Sequence, residues 1–431
     1  MATIVRALLA HTPRDPFVCQ DALETFSDGA VAFGDGRVLA CGAFADVRRG
    51  HPDAEVLDAR DSVLLPGFVD CHVHYPQVGV IGAMGLELLD WLRLRSLPEE
   101  ARLADPAFAA SVADRFVRLL AANGTTCALV FGSHFPDAQD ALFSAAASSG
   151  LRIASGLVVS DRGLVPELRM SVARAVAASH ALVERWHGVG MLRYAVTPRF
   201  SVSCSDELLS ACGEVARSAG GLLVTSHLNE SADEVALVRE LFPWARDYLE
   251  TYERFGLVGA CSVFAHDVHV TDGELRRLAA AGAAVAHCPS SNAFLGSGLF
   301  GLRRHLQFDV RVALGSDVGA GTGPSMFKEG LMAYQGQMLL GSEGFRLAPS
   351  ELLWLATGAG AQALGLADSV GDLSVGKSAD FVLVRPPSGS TLEQVLARSD
   401  SVEDALGVLF TMAREESIAE VRVAGEVVWP C

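Results

Sequence analysis

Lysine is almost missing from this chain: Lys328 and Lys377 are the only two in 431 residues. Basic residues as a whole number 34 against 51 acidic ones, a formal net charge of −17. That balance repels a phosphate backbone and argues against a nucleic-acid partner. No C-x-x-C pair occurs either. The nine cysteines (Cys19, Cys41, Cys71, Cys127, Cys204, Cys212, Cys261, Cys288 and Cys431) are odd in number and scattered, several of them in apolar runs. They read as buried thiols in a reducing compartment, not as a disulfide frame. A signal-peptide pattern is lacking, since Met1 to Arg6 leads straight into strand-like sequence. The segment Leu278–Leu302 has no Asp, Glu, Lys or Arg. It does contain His287, Pro289, Ser290, Ser291 and Asn292 with turn signals, so it is no membrane span. A cytoplasmic protein without a membrane partner is expected.

What the chain has in quantity is apolar sequence, 50% of its residues, ample for a large core in one or two domains. Residues 1 to about 64 are short alternating runs broken by Asp-Gly turns, which predicts a small antiparallel β module. From Leu64 the rhythm becomes apolar strands separated by helical stretches. Eight strand candidates follow: Leu64–Asp70, Thr125–Phe131, Arg152–Val159, Leu192–Arg199, Gly221–Leu228, Cys261–Val268, Ala283–Pro289 and Arg311–Val318. The intervals are rich in alanine and leucine and carry helix signals, such as the capping box Thr271–Glu274 closed by Gly282. Eight β-α units in about 300 residues predict an α/β fold, a (β/α)8 TIM-type barrel. A doubly wound sheet with extra strands is the competing arrangement. After Leu366 the β rhythm returns, ending in a hairpin turn at Ala424-Gly425-Glu426. The expected organisation is a β-sandwich from residues 1–64 and 370–431, beside a barrel over residues 65–369.

Active sites of such barrels lie at the carboxyl ends of the strands. In the stretch Pro66–Gln77 an apolar run stops at polar residues, and His72 and His74 alternate around Val73. In extended chain both imidazoles face one way, half of a tetrahedral metal site. His227, His266 and Asp317 likewise interrupt apolar runs at later strand ends. A single histidine so placed is more often a satisfied core residue. Four histidines and a carboxylate on one rim point to a metal. Glu230, three residues past His227, is placed to overhang that metal as a proton shuttle. Its plainer reading is an acid near a helix start, beside Ser231-Ala232-Asp233-Glu234.

The segments Pro66–His74, Ser226-His227 with Glu230, Ala265-His266, His287–Asn292 and Gly315-Ser316-Asp317 together resemble the amidohydrolase superfamily, deaminase branch. The likeness runs over nearly all of the chain. A narrower resemblance, to the guanine-deaminating members, rests on His74-Tyr75-Pro76-Gln77, Leu88-Leu89-Asp90-Trp91-Leu92, Val196–Ser201 and Gly319–Thr322. It implies that His72, His74, His227 and Asp317 hold one zinc ion per chain, iron(II) being the other ion that imidazoles suit. It further implies that His266 positions water and substrate, and that Gln77, Trp91, Arg199 and Phe200 grip a purine. Without it, loop packing and a surface ion pair would be the preferred reading of Gln77, Arg199 and Phe200. Two-metal relatives on this barrel use a bridging modified lysine on strand four; here that strand ends Thr197-Pro198-Arg199-Phe200, which implies one metal. The H-x-E and P-C-x-x-C signature of the cysteine-ligated zinc deaminases is absent.

The reaction so implied is hydrolysis of guanine to xanthine and ammonia by a water whose pKa the metal lowers toward about 7. Asp317 would accept the water proton, Glu230 would protonate the ring, and His266 would stabilise developing charge. A homodimer is implied by the same resemblance. The alternatives are another aminohydrolase of the branch, of the chlorohydrolase or S-adenosylhomocysteine/methylthioadenosine deaminase type, and a scaffold that kept the barrel without catalysis.

Overall fold

Alternation of inward and outward side chains builds the first four strands, β1 (Thr3–His11), β2 (Glu24–Gly34), β3 (Arg37–Ala43) and β4 (Glu55–Pro66). Along β1, Val5, Ala7 and Leu9 enter one apolar cluster with Phe33, Leu64 and Phe381, while Ile4 joins Ala30, Ala32 and Val47 on the other face. Asp35 and Gly36 connect β2 to β3 at φ of 49° and 77°, the left-handed geometry of a two-residue hairpin. The structure, a computed structural model, describes residues 2–430, so Cys431 lies outside the described residues.

This module departs from the antiparallel expectation. β1 pairs antiparallel with β2 but parallel with β4. The helix Phe44–Gly50 carries the chain back across before β4 begins, a crossing that strand alternation does not reveal.

The barrel strands are β5 (Phe68–His74), β6 (Thr125–Phe131), β7 (Arg152–Gly156) with its short continuation β8 (Val158–Val159), β9 (Arg193–Pro198), β10 (Leu223–Leu228), β11 (Ser262–His266), β12 (Ala284–His287) and β13 (Arg311–Leu314). All ladders between them are parallel. β5 and β6 are buried at every position, as strands covered on both faces must be. The run expected as one strand from Leu64 is two: β4 ends at Pro66 and β5 starts at Phe68 in a different sheet. Gly67 stands at that switch because a Cβ there would come within 2.2 Å of Thr126 Oγ1. The circle closes beyond β13, where Asp317 N–H donates to His72 O and His74 N–H donates to Val318 O, both at 2.8 Å.

Most return helices begin at a side-chain cap: Asp105 for Pro106–Ala122, Ser171 for Val172–Trp186, Ser205 for Asp206–Arg217, Ser231 for Ala232–Leu241 and Ser325 for Met326–Leu339. The capping box at Thr271 and Glu274 and the left-handed Gly282 bound the helix Asp272–Ala281, as the sequence predicts.

The last strands, β14 (Phe381–Val384), β15 (Ile418–Val423) and β16 (Glu426–Pro430), return to the N-terminal module. β14 lies antiparallel to β4, so both termini join in one seven-stranded sheet where a β-sandwich was expected. Residues 370–431 are not purely β. Between β14 and β15 run the helices Thr391–Leu396 and Val402–Met412. The second packs back on the barrel layer, with Phe410 edge-on to Phe327 at 5.3 Å. No helix among the described residues is long and apolar enough to cross a membrane.

Candidate active site

Because alternate residues of a strand share a face, β5 aims His72 and His74 into the barrel mouth together. There the Nε2 atoms of His72 and His74 lie 3.1 Å apart, and His74 Nε2 is 3.3 Å from His227 Nε2. Asp317 Oδ1 stands 3.2 Å from both His72 Nε2 and His74 Nε2. His266 ends β11 with its Nε2 at 3.8 Å from Asp317 Oδ2. His266 and Asp317 both take left-handed backbone (φ 74° and 48°). Strain of that kind, about 1–3 kcal/mol each, is typical of functional positions.

Hydrogen bonds behind the rings set which nitrogen faces inward. His227 Nδ1 donates to the carbonyl of Arg199 at 2.6 Å, and His266 Nδ1 donates to Asn292 Oδ1 at 3.0 Å. In the neutral rings each Nε2 is then a bare lone pair. Below them the Phe131 ring packs against His72, His74 and His227 with centroids at 4.8, 4.6 and 4.6 Å. Burial lowers the pKa of His72, pulls His74 down to about 4 and holds His227 well below its usual range. Burial alone would raise the Asp317 carboxyl, but the neighbouring histidines outweigh it and keep it ionised.

Three neutral imidazoles and a carboxylate converge so that all four ligand atoms lie within 4.8 Å of one another. Imidazole nitrogens and a carboxylate oxygen crowded in this way suit a cation between them, and neutral imidazole with carboxylate is what a divalent metal requires. The residues fit a single metal ion. His287, a further rim histidine, lies outside this set. It is buried and stacks on Phe300 at 4.2 Å.

Glu230 is buried at the foot of the helix that Ser231 caps, and its own N–H donates to Glu234 Oε2 at 3.0 Å. Its Oε2 points to His266 Nε2 at 3.5 Å, so the side chain faces the rim although it stands beside a helix start. Burial, then the charges of Glu234 and Asp317, push its carboxyl well above the usual range. Gln77, Trp91, Arg199 and Phe200 line the same cavity with His74, His227, Glu230 and Asp317. All of the residues expected at the site are thus brought to one place, with His72 and His266 just behind the wall.

Glu100 was not anticipated. A wide π turn at Leu92–Ser96 leads into the short helix Leu97–Ala101, which carries Glu100 behind the cavity wall. Its Oε1 accepts from Gln77 Nε2 and from Ser96 Oγ, both at 2.8 Å, and its Oε2 accepts from Arg199 at 2.7 Å. His134 Nδ1 lies 3.4 Å from the same Oε2. The ion pair of Arg199 is therefore buried, not on the surface. In sequence Glu100 is one of two adjacent acids after Pro98, and nothing local separates it from Glu99, which pairs with Arg102.

A parallel barrel with this histidine and carboxylate rim defines a metal-dependent hydrolase. The chain belongs to the amidohydrolase family, whose pattern matches residues 63–428. Within it, the relatives that match nearly its whole length include guanine deaminases. The chain is 56% identical to a probable guanine deaminase of Deinococcus radiodurans, over 99% of this chain and 98% of that one. Its fold is similar to that of the E. coli guanine deaminase, with TM-score 0.94, 36% identity and full coverage of both chains. It is also similar to a guanine deaminase from C. acetobutylicum with guanine bound in the active site, with TM-score 0.91, 27% identity and full coverage of both.

Proposed function

We propose that this site hydrolyses the exocyclic C2–N bond of guanine, yielding xanthine and ammonia. The observation that carries the reading is the placing of Glu230, a buried carboxyl pushed well above its usual range, between the metal-type rim and a wall bearing Gln77 and Arg199. His72, His74, His227 and Asp317 would hold one divalent ion, zinc by the imidazole-rich donor set, with iron(II) as the alternative. Such an ion supplies Lewis acidity and a water of pKa about 7. Asp317 turns Oδ1 toward the rim histidines and Oδ2 toward His266, so Oδ2 is free to accept a proton. Glu230 delivers its proton to the ring nitrogen beside the attacked carbon. His266, its Nδ1 committed to Asn292, turns Nε2 to the reacting centre. Arg199 and Gln77 offer donors and a carbonyl to the lactam edge, Phe200 and Trp91 offer faces, and Trp91 Nε1 is a buried donor with no partner among the described residues.

A homodimer is part of the proposal through family resemblance. The cytoplasmic location draws support from the free buried thiols Cys71, Cys127, Cys204, Cys212 and Cys288. The test is ammonia release from guanine, adenine, cytosine, guanosine and S-adenosylhomocysteine. Guanine alone should turn over well, because a site built to pair with polar substrate groups rejects analogues lacking them by about 10⁴ or more. Efficient turnover of adenine or a nucleoside would overturn the guanine reading.

A further inference from the structure

Arg199 reaches the cavity, yet the carboxylate that balances it does not: Glu100 stands behind the wall, with Arg199 and Glu100 each 2% exposed. Both carboxylate oxygens are occupied, one by Gln77 and Ser96 and the other by Arg199 and His134. Among the described residues Arg199 makes one further side-chain contact, to Ser96 Oγ at 3.4 Å. Its other N–H groups are left for a ligand. We propose that Glu100 is a positioning residue that cancels the charge of Arg199, so that the pocket selects a neutral lactam base over an anionic oxidised purine. This rests on the guanine reading above and deepens it.

The physical reason is the surroundings. A lone guanidinium in a poorly screened wall attracts any anion strongly, whereas a paired one offers oriented donors with little net charge. Burial would push the Glu100 carboxyl up, but Arg199 and the His134 contact outweigh it and keep it ionised. Burial lowers the pKa of His134, against the raising effect of Glu100. Guanine is neutral near pH 7. Xanthine is the more acidic purine and loses a ring proton close to neutrality, so an unpaired Arg199 would retain the product.

The experiment compares binding of xanthine with that of hypoxanthine, which stays neutral at pH 8, to metal-loaded protein by calorimetry. In Glu100→Gln the preference for xanthine should rise about tenfold or more over wild type. An unchanged preference overturns the proposal. Glu100→Asp keeps the charge and should stay within about twofold of wild type, even if guanine KM rises; a tenfold rise there would show that charge is not the cause. Should Glu100→Gln not fold, the double variant Glu100→Gln, Arg199→Gln replaces the pair by neutral isosteres, which buried ion pairs often tolerate. It should keep the wild-type preference within about twofold, and a tenfold departure overturns the idea. Guanine turnover by the wild type is measured alongside. Its absence would overturn the substrate reading and this inference together, whereas normal turnover with an unchanged Glu100→Gln preference removes only the role of Glu100.

Discussion

Glu230 Oε2 stands 3.5 Å from His266 Nε2, both side chains buried at the barrel mouth. His266 uses its Nδ1–H on Asn292, while Glu230 holds its proton well above the usual carboxyl range because it is buried beside Glu234 and Asp317. The shift favours the protonated form that the proposed acid role requires.

Glu230→Gln keeps the shape and removes the proton. Metal content, folding and guanine binding should stay near wild type, while kcat falls by roughly 10²–10⁴. Loss of metal would make Glu230 a ligand, and full activity would reduce it to an ordinary helix-start acid. In the wild type, activity should decline as pH rises through the raised pKa of Glu230, and the variant should lack that limb.

One ion per chain is expected, since one ligand set is assembled among the described residues. Elemental analysis finding two tightly held metals would refute this. His227→Ala should lose metal and activity together. Chelation should lower the melting temperature, because an ion at about a thousand times its Kd contributes about 4 kcal/mol to the native state.

Phe131 supports three of the rim imidazoles. Phe131→Ala should destabilise the chain by about 3–5 kcal/mol in chemical unfolding and weaken metal retention. Phe131→Leu, which fills most of the space, should lose much less. Equal losses in the two variants would mean that the ring is not a support.

Glu329 gives a stability test away from catalysis. It is buried, accepts from Ser290 N–H at 3.1 Å, and is raised by that burial from 4.5 to about 8. The folded chain then binds a proton that the unfolded chain releases between these values. Stability from this group is full below about 4.5 and is lost as pH rises toward 8. Glu329→Gln mimics the protonated form. It should match wild type near pH 5 and exceed it near pH 9 by up to a few kcal/mol, seen in urea unfolding. A variant less stable at both values would contradict this.

The barrel was legible because parallel strands buried on both faces are unbroken apolar runs, and the rim because each functional residue interrupts one. His72, His74, His227, His266 and Asp317 could all be placed in this way. Less legible was the module around them. The parallel pairing of β1 with β4, the split of the Leu64 run at Gly67, and the two helices before β15 all depend on where the chain crosses in space.

By itself the sequence determined which chemical groups end the strands and in what order, since strand period and apolar length are local properties. Only the tertiary structure decided which acids matter. Glu100 and Arg199 are 99 residues apart and Glu100 and Gln77 are 23 apart, with no local pattern linking them. Glu99 and Glu100 are equivalent as sequence, yet one pairs with the outward-facing Arg102 and the other is buried with Arg199. Charge state follows burial and partners, and those exist only once the chain has closed.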